Sequence, residues 1–335
     1  RFRVRRLSFW VMIALATACL AMAAVPNWIA LIFVIYALRL TGQGMMSQLG
    51  AVAMVRWFEA ARGKALSLSS LGFAAGQAIL PVMFVALFAG FHWRSLWVLA
   101  AVLVLLTMPV MLMLLRHERT PQSMAQTTQL AGMEGHHWTR KQMIRHGLFW
   151  LMIPMIIGPA AWGTALFFQQ VHLTQVKGWS LVSFVALMPL YTVTSVISTF
   201  VSGWAVDRFG VTRVTPVQML PFAASFTVLA YADTIPMAGV GLLIFGVGQG
   251  MQATATSVFW AEFYGTRYIG SIKAVAAALM VFGSAIGPGI TGLFIDLGVN
   301  FPEQMIPIAI YYVIAAIMAT TGIIKYQGRL VPRQR

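Results

Sequence analysis

Acidic side chains are scarce in this chain, and none sits where an enzyme would need one. The eight Asp and Glu residues, Glu59, Glu118, Glu134, Asp207, Asp233, Glu262, Asp296 and Glu303, fall in loops or at the ends of apolar runs. With no paired carboxylate, no nucleophile and base, no phosphate-cradling loop and no metal-ligand cluster, the chain is read as no enzyme, without cofactor or metal. Cysteine is nearly absent too. Cys19 alone offers no disulfide framework, and its apolar surroundings mark it as a small core residue. Charge is thin altogether: 9% of residues are charged and 59% hydrophobic, against roughly 25% charged in a soluble globular domain.

What fills the chain instead is apolar runs of about 20 residues, the length that crosses a bilayer as a helix. Ten spans are expected, over 8–25, 28–55, 65–90, 95–115, 148–172, 180–206, 214–232, 237–261, 274–295 and 305–325. This makes an all-α membrane protein, and an even number of spans puts both ends on one side. The net charge of +15 agrees. If the start is cytoplasmic, twenty Lys and Arg residues fall on that side and only Arg94 and Lys177 on the other. The basic excess therefore records orientation in a plasma membrane, the inner membrane if the source is bacterial. Attraction to anionic lipid follows from it, and nucleic acid is not an expected partner.

The chain also repeats itself about 207 residues apart. Arg1-Phe2-Arg3-Val4-Arg5-Arg6-Leu7 returns as Arg208-Phe209-Gly210-Val211-Thr212-Arg213-Val214, and Gly42-Gln43-Gly44-Met45 as Gly248-Gln249-Gly250-Met251. Gly76, five residues before Pro81, returns as Gly283, five before Pro288. Matches in the same order describe two copies of one membrane unit. Two spans precede Arg208 and none precedes Arg1, so the first copy is expected to lack its opening two helices. The polar stretch between the copies reads as a cytoplasmic linker, with His136-His137 in a flexible surface loop rather than a metal site. The expected organisation is a four-helix half-bundle over 1–116, a linker over 117–147 and a six-helix bundle over 148–335.

Ten spans plus two is the pattern of the major facilitator superfamily, and the likeness reaches particular residues. Gly203-Trp204-Ala205-Val206-Asp207-Arg208-Phe209-Gly210 with Arg213 resembles the family's loop signature. Arg39-Leu40-Thr41-Gly42-Gln43-Gly44 resembles its fourth helix, and Arg56-Trp57-Phe58 with Arg62-Gly63-Lys64-Ala65-Leu66 its passage from helix four to five. Gly283-Ser284-Ala285-Ile286-Gly287-Pro288, followed by Gly292 and Asp296, resembles its helix eleven. Within the superfamily the chain is most similar to the monocarboxylate-transporter and oxalate/formate exchanger group, through His92-Trp93-Arg94, Tyr264-Gly265 and Gly270-Ser271. The resemblance implies a monomeric secondary transporter, a symporter or antiporter, moving a small solute by rocking between outward and inward states. A monocarboxylate or other organic anion, with a proton or counter-anion, is the expected cargo.

Arg39 is the one charged residue placed deep in a span, twelve residues from Asn27 and seventeen from Arg56. A cation at that depth is costly and persists where it faces a cavity or a partner. Its counterpart in the second copy is Phe245, so the helix itself does not require a guanidinium. Arg39 is read as a substrate or coupling contact, with pairing to backbone carbonyls or to a preceding helix as the alternative; its planar fork suits a carboxylate. Gln43 and Ser47 continue its stripe at four-residue spacing. Tyr191, Ser195 and Gln249 are further substrate candidates, Gln252, Trp162, Gln169 and His172 weaker ones, while Ser198 and Ser202 suit helix packing. Gly72, Gly76, Gly283 and Gly287 form close-packing faces, with Pro81 and Pro288 permitting bends. Asp207 is expected to accept from amides near Gly270 and Ser271, with Arg208, Arg213, Glu262 and Arg267 completing a cytoplasmic gate. The competing readings are a drug exporter, disfavoured because Gly76 and Pro81 do not form a Gly-Pro pair, and a non-transporting sensor of the same fold.

Overall fold

The computed structural model describes residues 4–46, 49, 50, 62–115 and 131–330, with the backbone alone at 4, 43 and 62–71. Every regular element among them is helical. Among the described residues nine helices are long and apolar enough to cross a membrane, and the apolar stretch Gly72–Phe88 adds a shorter one, in line with the expected spans. The chain divides into two compact units, Arg1–Ala125 and Gln126–Arg335.

In the first unit, α1 (Val4–Ala23) runs up to the turn at Pro26, which has no N–H to continue a helix. Asn27 then starts α2 (Trp28–Leu38), its Oδ1 accepting the Ala30 amide at 2.9 Å. This helix passes without a break into a π-helical segment, Arg39–Met46. α3 (Arg62–Phe88) carries Pro81 inside it, and α4 (Trp93–Leu114) is capped by His92, whose Nδ1 accepts the Arg94 amide at 3.3 Å. The Arg94 guanidinium reaches back to the Val25 carbonyl at 3.3 Å, tying α4 to the α1–α2 turn. α1 packs chiefly along α4 and secondarily on α2. Val11, Leu49 and Leu115 form a core there, with Met45, Met46 and Met111 against it.

The second unit comprises α5 (Arg140–Arg145), α6 (Gly147–Phe168), α7 (Gln170–Lys177), α8 (Leu181–Val185), α9 (Met188–Phe209), α10 (Val211–Val217), α11 (Met219–Tyr231), α12 (Ile235–Tyr264), α13 (Ile269–Asp296) and α14 (Phe301–Gln327). α9 packs on α12, α6 on α13, and α11 on both α12 and α14. The repeat is visible in this pairing: moved by its 207 residues, α1 on α4 becomes α11 on α14.

Lipid is as apolar as leucine, so helices in a membrane associate by close packing rather than by hiding from water. The two main crossings of the second unit show how the sequence achieves it. A Cβ on Gly287 would lie 2.1 Å from the Ala161 carbonyl oxygen, and one on Gly250 would lie 2.3 Å from that of Ser195. Neither glycine position leaves room for a side chain. α9 and α12 are pinned further by Ser198, which donates to the Val247 carbonyl at 2.7 Å, and by Ser202 on Met251.

Of the stretch expected as a linker, residues 116–130 lie outside the described ones. Residues 131–146 fold onto the end of the second unit.

Candidate functional site

Arg39 opens the π-helical segment and is partly buried. The local cause of that segment is legible in its neighbours. Thr41 donates its hydroxyl to the Ala37 carbonyl at 2.7 Å, competing for the acceptor that α-helical bonding would use. Gly42 and Gly44 follow at once, both tolerant of distortion. Single π-helical turns inside α-helices are rare and recur at functional sites. Of the stripe expected with Arg39, the side chain of Gln43 and all of Ser47 lie outside the described residues.

Tyr191 does not stand open on a polar path. It is 1% exposed, its ring set between Phe167 and Phe245 with centroids 5.6 and 5.7 Å away. Phe245 is the hub of this knot, which Phe222, Phe226 and Tyr312 extend. At the repeat position of Arg39, therefore, the second unit is packed with aromatic rings. Ser195 is partly buried and its backbone lies at the α9–α12 crossing. Gln249 is partly buried one residue from that contact, and Gln252 is buried. Gln169 joins α6 to α13 through the Pro288 carbonyl (3.4 Å) and the Thr291 hydroxyl (3.3 Å). Trp162 and His172 each bury a ring nitrogen that has no hydrogen-bond partner among the described residues.

Asp207, Arg208, Arg213 and Arg267 are exposed and Glu262 is partly buried. The Ser271 amide, which Asp207 was expected to receive, bonds instead to the Tyr268 carbonyl at 3.0 Å, closing the first turn of α13 on itself. Arg267 lies over the Tyr268 ring at 5.5 Å. Lys273 donates to the Ser257 hydroxyl at 2.7 Å, linking α13 to α12. The ion pair at this end is one the sequence did not suggest, Arg329 with Glu134 at 3.0 Å.

The glycines divide. Gly283 and Gly287 face Ile157 and Ala161 of α6 at contact distance or less. Among the described residues, Gly72 meets nothing within 4 Å and Gly76 only Leu80 of its own helix, at 3.8 Å. Gly246 and Gly250 make an equally tight face toward α9 that the sequence had shown only as a glycine run.

The two units share a helix pairing, the second has glycine-faced crossings, and Arg39 of the first lies within an apolar span. The sequence profile of the Major Facilitator Superfamily matches residues 1–288 and, a second time, 186–334. The chain belongs to the major facilitator superfamily. Its fold is that of the superfamily's transporters. A bacterial homologue of the human lysosomal transporter Spinster, inward-facing and unoccupied, aligns over 99% of this chain and 85% of its own, with a TM-score of 0.72 at 14% identity. The fucose:proton symporter FucP of E. coli aligns over 95% and 83%, with a TM-score of 0.61 at 14% identity. The human organic anion transporter MFSD10 aligns over 97% and 76%, with a TM-score of 0.57 at 15% identity. No curated protein sequence matches the chain.

Proposed function

We propose that this superfamily member is a secondary transporter of a small organic anion, a monocarboxylate being the simplest cargo, and that Arg39 is its anion contact. The observation that carries the reading is the coincidence of a partly buried Arg within an apolar span with a π-helical turn at Arg39–Met46, while the repeat-related Phe245 is walled in by aromatic rings. Such a turn leaves backbone groups off the regular ladder, and a guanidinium supplies a planar pair of donors for a carboxylate. A likeness in fold to an organic anion transporter agrees with this cargo. Gln43, Gln249 and Ser195 are further candidate contacts for the cargo. Tyr191, given its burial, supports the wall rather than the ligand.

In alternating access the two tight crossings would act as rigid seams that hold the second unit together as a body. Asp207, Arg208, Arg213, Glu262 and Arg267 would form the cytoplasmic gate of that cycle. A proton or counter-anion completes the cycle, and both ends of the chain lie in the cytoplasm.

The test is counterflow of labelled lactate, formate and oxalate in proteoliposomes holding the full-length protein. Exchange that disappears in Arg39→Gln while folding is retained supports the reading. Unchanged exchange in the variant moves the cargo to a neutral or hydrophobic compound. Binding without exchange in the wild type points to the sensor.

A further inference from the structure

The segment before α6 is not idle chain. Gly132 is wedged against α12, where a Cβ would sit 2.6 Å from the Phe263 carbonyl oxygen. A 3-10 turn, Met133–Gly135, follows, with Met133 fully buried. The Glu134 amide donates to the Arg329 carbonyl at 2.8 Å and the Trp138 amide to the Tyr264 carbonyl at 3.2 Å. Thr139 and Gln142 close a reciprocal cap on α5, whose Met143 is fully buried. Residues 132–146 thus form a strap bonded at one point to the end of α12 and at another beyond α14.

His146 closes the strap. Its ring lies 4.4 Å from Tyr326 of α14, 4.8 Å from Trp138 and 6.1 Å from Tyr264 of α12, between centroids. Both its nitrogens are buried without a hydrogen-bond partner, and so is the Tyr264 hydroxyl. Among the described residues, the Arg329 and Glu134 charges act on it, Tyr264 of α12 and Tyr326 of α14 pack against it, and Lys325 lies over Tyr326. Arg145, its neighbour in α5, is exposed, and α6 adds none at this end. The cations outnumber the single carboxylate, which is already paired with Arg329 at 3.0 Å. Lys325 and Arg329 lie 5.6 and 5.4 Å from the centre of the Tyr326 ring, so that ring already has two cations beside it.

We propose that the strap over residues 132–146 is a pH-sensitive latch, docked on the ends of α12 and α14 while His146 is neutral and released when that ring takes up a proton. Protonation adds a second N–H donor and a charge at a ring whose nitrogens have no hydrogen-bond partner among the described residues. Burial pushes His146 below the ordinary imidazole value, the Arg329 charge pushes the same way, and Glu134 opposes them. The sign follows: the docked state prefers the neutral ring, so docking is complete above the ordinary value near 6.5 and is lost as pH falls below it. Release would free the Tyr264–Gly265 end of α12 and the loop into α13. The latch stands apart from what the protein carries.

The experiment uses the full-length protein in nanodiscs, spin-labelled through Lys141→Cys and Arg267→Cys in a Cys19→Ala background, with distances measured at pH 8 and pH 5.5. One distance population at pH 8 and a second, longer one at pH 5.5 are expected. His146→Phe, which keeps a ring but cannot be charged, should show the first population alone at both values. An unchanged wild type overturns the proposal, and so does the longer population in the Phe variant. Deuterium exchange over 131–139, corrected for its intrinsic pH dependence, reads the same step without a variant. Its protection should fall by up to about tenfold per pH unit below the imidazole value, while a core peptide over 222–229 stays constant. Equal loss in both peptides, or in neither, overturns the latch.

Discussion

The ring of Phe245 lies 5.7 Å from that of Tyr191, centre to centre, both in the middle of the second bundle. Arg39 holds the repeat position of Phe245 in the first copy. One helical frame therefore carries an aromatic knot at this position in one copy and a cation in the other. Duplication preserved the pairing of helices while the chemistry at this level diverged.

Phe245→Ala should destabilise the protein by about 3–5 kcal/mol, because the ring is 1% exposed and touches rings from α6, α9 and α11. Thermal unfolding in detergent measures it. Phe245→Leu, which keeps most of the volume, should cost much less.

The glycine faces give a prediction with its own control. Gly287→Ala and Gly250→Ala each place a carbon within 2.3 Å of a backbone carbonyl oxygen. Backbone cannot step aside as a side chain can, so both variants should lose several °C of melting temperature or fail to accumulate. Gly72→Ala, with open space around it, should be neutral or slightly stabilising by way of helix propensity. Equal behaviour of all three would contradict the packing described.

How much of this was legible beforehand differs by scale. The ten spans were readable because the length of an apolar run is set by the bilayer. The two copies were readable because Gly-Gln-Gly-Met and the Gly-Pro spacing recur. Gly283 and Gly287 announced a tight crossing for the same reason as any small residue in a membrane helix. The burial of Tyr191 was not legible, since a hydroxyl on a stripe with Ser195 and Ser198 says nothing about whether its ring turns inward. The π-helical turn depends on one competing hydroxyl, Thr41, beside two glycines, a combination with no periodic signature. The strap was hidden by composition: Glu134, His136, Arg140 and Lys141 look like solvated linker, while the residues that dock it, Gly132, Met133, Trp138 and Met143, are spread among them.

Ser198 and Ser195 separate packing from binding on one helix. Ser198 gives its hydroxyl to the Val247 carbonyl at 2.7 Å. Ser198→Ala should lower stability by roughly 0.6 kcal/mol, the average for such bonds in membrane bundles, and leave the affinity for cargo unchanged. Ser195→Ala should instead weaken binding if its hydroxyl reaches the cargo. Paired melting and counterflow measurements on both variants distinguish the roles, and a change in cargo affinity for Ser198→Ala would place it on the path.

The last prediction concerns the kind of cation at Arg39. If the site recognises a carboxylate through two parallel N–H donors, Arg39→Lys keeps the charge and loses the second donor and the planar geometry. Hydrogen bonds to charged groups are worth about 1.5–3 kcal/mol, so the apparent affinity for a monocarboxylate should fall by roughly one to two orders of magnitude. Transport at saturating cargo should survive better than in Arg39→Gln, where the charge is gone as well. If Arg39 instead serves only to satisfy backbone carbonyls around the π-helical turn, Lys would substitute with little change in affinity, and both variants would shift the melting temperature. Counterflow over a range of cargo concentrations, read beside a melting curve for each variant, decides between the two. A wild-type affinity in Arg39→Lys together with a lowered melting temperature would assign the guanidinium to the helix and not to the cargo.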